Sequence, residues 1–207
     1  MTRVLLVAAA LTVVSSAARA QATAQPAQPA RAAQPANPPR AAMRIMTLTS
    51  TAFADGGMIP EAQSQMGRDV SPALSWSNAP DSTRSFVLVV HDADAALGDG
   101  TDDLLHWMVW NIPGTATSLP AGVPSGSQRE DNSRQISASG PYYRGPAAPA
   151  TGSPHHYVFE IYALDINVNV APTTMSPPLT RAEVMKQIAG HVRGKGVLVG
   201  LYRRPAP

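Results

Sequence analysis

The sequence predicts a mainly β domain, a β-sandwich with one C-terminal helix and long loops. Three observations carry that expectation. Five apolar runs of strand length are spread through the chain from Met43 onward. Clusters of Pro, Gly, Ser and Asp separate them, which is turn and loop chemistry. Only one stretch joins a helix start signal to apolar residues at helical spacing.

The elements follow in order. Residues 44–50 (RIMTLTS) alternate and suit a half-buried strand. Residues 85–90 (SFVLVV) are continuously apolar and rich in β-branched side chains, as in a strand covered on both faces. Residues 105–112 (LHWMVWNI) make a third strand, ended by Pro113-Gly114. Residues 156–164 and 196–203 are the fourth and fifth. Thr180-Arg181-Ala182-Glu183 reads as a capping box, with Thr as N-cap and Glu three residues on. Val184, Ile188 and Val192 follow at helical spacing, and Gly194 is the expected stop.

The domain is preceded by two segments of other kinds. Residues 1–20 read as an export signal: Arg3 gives a positive start, residues 4–14 an apolar core, and Ala18-Arg19-Ala20 a cleavage site. The apolar run is too short to span a bilayer, so no membrane span is expected after cleavage. Residues 21–42 are Ala, Pro and Gln at 18 of 22 positions, the composition of a disordered linker. Residues 43–207 are then the folded domain, long enough for one core. The expected location is the bacterial periplasm or the exterior.

Composition excludes several functions. The 207 residues contain no cysteine, so a disulfide framework, a thiolate metal site, a cysteine nucleophile and a lipidated cysteine are all ruled out. The overall excess of basic residues comes from the leading segments. From Met43 onward 12 basic residues face 14 acidic ones, with no Lys/Arg run, and nucleic acid is not an expected partner. There is no G-x-S-x-G, no phosphate-cradling glycine loop and no H-E-x-x-H.

The remaining chemistry lies at strand ends. Asp92-Ala93-Asp94 follows the most apolar strand, His106 opens the third, and His155 and Tyr157 share a face at the start of the fourth. Carboxylates beside histidines can orient the imidazole and favour its charged form. Such a group can face a zwitterion, with His toward phosphate and Asp toward an ammonium. The same residues also suit plain structural roles, Asp as a turn former and His as a satisfied core group. No tight metal-ligand spacing is present. Asp99, Asp102 and Asp103 read as a solvated acidic loop.

Five segments, in order, carry a resemblance. They are Asp69-Val70-Ser71-Pro72-Ala73-Leu74-Ser75-Trp76; the strand ending in Asp92-Ala93-Asp94-Ala95; His106-Trp107-Met108-Val109-Trp110-Asn111-Ile112-Pro113; Tyr143-Arg144-Gly145-Pro146 with His155-His156-Tyr157; and residues 190–202. Together they resemble the phosphatidylethanolamine-binding protein (PEBP) family, in its bacterial Raf-kinase-inhibitor-like branch. The resemblance implies a PEBP-like β-sandwich with a small anion pocket. It places that pocket on Asp92, Asp94, His106, His155 and Tyr157, with Gly145 and Pro146 in the wall. Two departures stand out. Both prolines of the family's D-P-D-A-P are alanine here, which removes two φ constraints after the aspartates. Ala147-Ala148-Pro149 replaces a stretch where bacterial relatives commonly carry Cys.

The expected function is a non-enzymatic exported binding protein for a small anionic or zwitterionic ligand, phosphate-bearing or carboxylate, with no cofactor and no metal. Two alternatives stand beside it. One is a protein-interaction module that inhibits an envelope enzyme, with a protein as partner. The other is a weak hydrolase in which His and Asp activate water.

Overall fold

The computed structural model describes residues 42–97, 100–172 and 175–206. The export signal, the linker up to its last residue, and Asp99 lie outside the described residues. Within them the chain forms β1 (Arg44–Ile45), β2 (Thr47–Ser50), β3 (Gly57–Met58), β4 (Leu74–Ser77), β5 (Ser85–Leu97), β6 (Asp102–Pro113), β7 (Ser118–Leu119), β8 (Arg134–Ile136), β9 (His155–Leu164), α1 (Pro177–Ile188) and β10 (Val192–Tyr202). The larger sheet has the order β1-β10-β9-β5-β6-β8, with β3 also pairing β10, and the smaller has the order β2-β4-β7.

Burial on both faces makes β5 the axis of the fold. Phe86, Leu88 and Val90 pack with Leu48, Leu74, Trp76 and Leu119 of the smaller sheet. Val87 and Val89 pack on the opposite side with Val184 and Ile188 of α1. These five β5 side chains are 1% exposed or less. Each contributes about 1.5–3 kcal/mol when removed from water. The result is the expected mainly β sandwich, with one helix on the outer face of the larger sheet.

Several elements differ from the sequence reading, each for a physical reason. The run 44–50 divides at Met46: β1 lies beside β10, and β2 crosses to the smaller sheet. Strands β3, β4, β7 and β8 are two to four residues long, too short to show an apolar period. Helix α1 starts earlier than the capping box implies. Ser176 is the N-cap, and Pro177 opens the helix, where a missing N–H costs nothing. Thr180 is therefore inside α1, fully buried, with its hydroxyl donating to the Ser176 carbonyl at 3.1 Å. The helix stops before Gly190, whose φ of 88° is the left-handed turn that glycine adopts freely, and Val192 and Gly194 belong to β10. Asp103 is not a solvated loop residue. It pairs with Arg181 of α1 and with His91 of β5, fastening the helix to the β5–β6 hairpin.

Strand β6 carries two irregularities against β5. Val90 faces Trp107 while His91 faces Leu105, so His106 is an extra residue. Phe86 faces Ile112 while Val87 faces Trp110, so Asn111 is another. A bulge of this kind re-aims side chains that strict alternation would send to the other face. Asn111 adopts φ 57°, a conformation asparagine tolerates better than most residues. Its side chain clamps the loop after β9, donating to the Val168 carbonyl at 2.8 Å and accepting from the Val168 N–H at 2.7 Å. Replacing Asn111 with Ala removes both bonds and leaves the strained φ unfilled by a suitable residue. The expected loss is about 2 kcal/mol in urea unfolding; a loss below about 0.5 kcal/mol would show that the clamp does not hold the loop.

Candidate functional site

At the end of the central strands, where the smaller sheet no longer covers them, is a cavity of about 200 Å³. Asp92, His106, His155 and Tyr157 all line it. Asp92 sits opposite Tyr157 across the β5–β9 pairing and opposite Leu104 across β5–β6. His155 and Tyr157 reach it from alternate positions of β9, and His106 reaches it through the β6 bulge. A larger cavity of about 690 Å³ lies between β6 and α1. It contains none of these four residues, and its Asp103 and Arg181 are paired with each other.

Hydrogen bonds fix how each ring is held. The Nδ1 of His106 is 2.7 Å from the Arg144 carbonyl oxygen, which can only accept, so Nδ1 carries the proton. That leaves Nε2 of His106 buried and without a partner. The Nδ1 of His155 lies 2.9 and 3.1 Å from the two oxygens of Asp92 and donates to that carboxylate. Tyr157 is 1% exposed; its ring meets His106 edge-on at 5.0 Å, and its oxygen accepts from the Ala147 N–H at 3.3 Å. Burial, followed by the charge of Asp92 and a hydrogen bond to it, pushes the Tyr157 phenol above its ordinary range. Burial also holds His106 below its ordinary value of 6.5, outweighing the Arg144 carbonyl and the Asp92 charge.

Three of the sequence-selected residues stand outside the cavity lining. Asp94 is exposed and turns to His156, accepting from its backbone N–H at 2.6 Å and pairing with its ring at 2.8 Å. Strict alternation would put Asp94 on the face of Asp92. The pairing of β5 with β6 is irregular after Asp92, and the Asp92 carboxylate accepts from the Asp94 N–H at 3.0 Å, which breaks the pleat there. Gly145 and Pro146 are behind the wall rather than in it. The Gly145 N–H donates to Asp69 at 2.6 Å and its carbonyl accepts from the Gln65 side chain at 2.6 Å. The Pro146 carbonyl accepts from the Gln65 N–H at 3.1 Å. The lining itself is Arg144, Ala147, Ala148 and Pro149, with Gln65 and Arg204. Sequence reasoning missed Gln65, Arg144 and Arg204 as site residues. Arg144 was visible beside Gly145-Pro146, but nothing local in the sequence singles out the other two.

Comparison with known proteins decides the family. The phosphatidylethanolamine-binding protein family model matches residues 49–203. The chain belongs to the phosphatidylethanolamine-binding protein family. A protein of Methanothermobacter thermautotrophicus is 37% identical over 77% of this chain and 99% of its own length. A Mycobacterium tuberculosis protein that bears a lipoprotein name is 33% identical over 76% of this chain and 72% of its own. The crystal structure of a PEBP homologue from Chlamydia trachomatis superposes with a TM-score of 0.63 at 29% identity, covering 78% of this chain and 99% of that one. This PEBP-family fold explains the ordered motifs: Asp69, Asn111 and Gly145 hold loops, and Asp92, His106, His155 and Tyr157 meet at the cavity.

Two expectations follow from the geometry. A Cβ on Gly145 would lie 2.2 Å from the Gln63 carbonyl oxygen, 2.5 Å from Asp69 Oδ1 and 2.9 Å from the Ser64 Cα. Gly145→Ala is expected to cost about 1–3 kcal/mol by displacing the wall, measured as a fall in the urea midpoint; an unchanged midpoint would remove Gly145 as a support. The second concerns pH. Because folding lowers the pKa of His106, the unfolded chain takes up a proton near pH 6.5 that the folded chain does not. Stability therefore falls as pH drops through and below that value. Melting temperature between pH 7 and pH 5 should decline less steeply in His106→Gln than in the wild type, and equal slopes would contradict it.

Proposed function

We propose that this chain is an exported, non-enzymatic binding protein whose small cavity takes an anionic or zwitterionic ligand, phosphate-bearing or carboxylate. The observation that carries the reading is the buried, unpartnered Nε2 of His106 in a residue that lines the cavity. A buried polar atom without a partner is costly. With Nδ1 carrying the proton, Nε2 is an acceptor, and a ligand satisfies it by bringing a donor there, the hydroxyl of a monoprotonated phosphate or the ammonium of a zwitterion. The cavity is below the usual ~300–1,000 Å³ of drug-sized pockets, which favours a ligand of headgroup size. Its lining contains no Ser, Thr or Lys, so the side chains that most often serve as nucleophiles are missing. Export is supported by the leader-like residues 1–20 and by the lipoprotein name of the mycobacterial relative, although this chain has no cysteine to carry a lipid. Among the described residues no helix is long and apolar enough to cross a membrane.

A second reading has one observation in its favour. The Asp92–His155 pair is the carboxylate-oriented imidazole of a general base, and Nε2 of His155 makes no hydrogen bond among the described residues. Turnover of a phosphomonoester or an ester, abolished in His155→Ala, would establish the hydrolase and displace the binding reading.

The binding reading is tested by thermal shift with inorganic phosphate, phosphoethanolamine and acetate. At about 100-fold above Kd a ligand adds about 2.7 kcal/mol to the folded state, a rise of several degrees. The rise should appear with at least one of these ligands and vanish in His106→Ala. No rise with any of them would refute an anion pocket.

A further inference from the structure

The arginines of the cavity have no role in the account so far. Arg144 and Arg204 both line it, and among the described residues neither guanidinium makes a hydrogen bond or an ion pair. Arg44, Arg68 and Arg84 are likewise unpaired among the described residues but line neither cavity, while five other arginines are committed. Arg181 pairs with Asp103, Arg193 with Asp165 and Arg129 with Asp131, while Arg134 donates to the Val170 carbonyl and Arg203 to the Gly152 carbonyl.

The backbones that carry the Arg144 and Arg204 side chains are held in place. The Arg144 N–H donates to the His106 carbonyl at 3.0 Å, and the Arg144 carbonyl accepts from His106 Nδ1 at 2.7 Å. The residue that fixes the histidine therefore also delivers a cation beside it. Arg204 follows Tyr202, whose hydroxyl donates to Ser64 in the core at 2.9 Å, and the Arg204 N–H donates to the Ala148 carbonyl of the wall at 3.2 Å. Two segments far apart in sequence thus bring positive charge to one small cavity. Asp92 is the only carboxylate in the lining, and it already accepts from His155. The buried Nε2 of His106 is a further polar atom there without a partner.

Guanidinium groups present a fork of donors that fits phosphoryl and carboxylate oxygens two at a time. A carboxylate carries one charge and two oxygens, which one guanidinium can answer. A phosphoryl group near neutral pH carries up to two charges and three or more oxygens, enough for both guanidiniums, and in its monoprotonated form it brings a hydroxyl that can donate to His106 Nε2. The geometry points to Arg144 and Arg204 as a paired clamp that makes the cavity select a phosphoryl group over a carboxylate. They are specificity-determining residues of the anion pocket, and the inference rests on that pocket reading. Free phosphate and the end of a phosphomonoester such as a lipid-derived headgroup both present this phosphoryl chemistry.

Isothermal titration at pH 7.5 and low salt tests it, using inorganic phosphate, phosphoethanolamine and acetate against the wild type, Arg144→Gln and Arg204→Gln. Arg203→Gln serves as a neighbouring control, and melting temperatures confirm that each variant folds. The wild type should prefer phosphate to acetate by at least about tenfold. Each clamp variant should lose about tenfold in phosphate affinity and threefold or less for acetate, and the control should stay within about twofold. Tighter binding of phosphoethanolamine than of phosphate would support the clamp with an esterified headgroup as source, and the reverse would support it with the free ion. Binding of phosphate to the wild type with no loss in either variant overturns the clamp and leaves the pocket standing. Equal losses for phosphate and acetate overturn the selectivity. A wild type that binds none of the three overturns the pocket reading and the clamp with it.

Discussion

A strand covered on both faces holds a charged side chain only where a partner or solvent answers it. That constraint governs β5, β6 and β9, which lie between the smaller sheet on one side and α1 on the other. Taking a charge into such a layer costs several kcal/mol unless it is paired. Polar groups therefore sit where a partner is at hand, as Glu160 of β9 does with Lys195 and Tyr162, or where the cover ends or the pairing breaks. Asp92, His155 and Tyr157 lie at the uncovered end, and His106 gets there because β6 carries an extra residue. The site is thus a boundary of the core rather than an addition to it.

The same boundary explains which polar atoms are spoken for. Each ring nitrogen that points back into the fold has a fixed acceptor: His106 has the Arg144 carbonyl, and His155 has the Asp92 carboxylate. Asp92 is 4% exposed, yet it accepts from His155 and from the Asp94 N–H, so its negative charge is spread over donors supplied by the protein. At the cavity, what remains unanswered is Nε2 of His106.

The sequence revealed the fold where the signal was long and periodic. The runs that became β5, β6, β9 and β10 were visible because each must be apolar over many residues to sit in the larger sheet. The four short strands were not, because two to four residues carry no period, and the start of α1 was displaced because a proline pair outweighed a capping box. At the site, the family resemblance and the strand-end reading agreed on Asp92, His106, His155 and Tyr157. Asp94 diverged because a side-chain hydrogen bond two residues long overrode alternation. Gln65 and Arg204 were illegible because they reach the cavity through tertiary contacts, 27 and 47 positions from the nearest lining residues in sequence, Asp92 and Tyr157.

The cavity is made of two materials. Its floor, Tyr157 with Asp92 and His106, is continuous with the packed interior. Its rim, Ala147, Pro149 and Arg204, is tied on by single hydrogen bonds, Ala147 to the Tyr157 hydroxyl and Arg204 to the Ala148 carbonyl. On the binding reading proposed above, a change in the floor alters folding and recognition together, and a change in the rim alters recognition alone. A scaffold divided in this way can be fitted to a new ligand by small steps, each leaving the sandwich as stable as before, so the range of molecules this architecture can serve is set at its margin and not in its core.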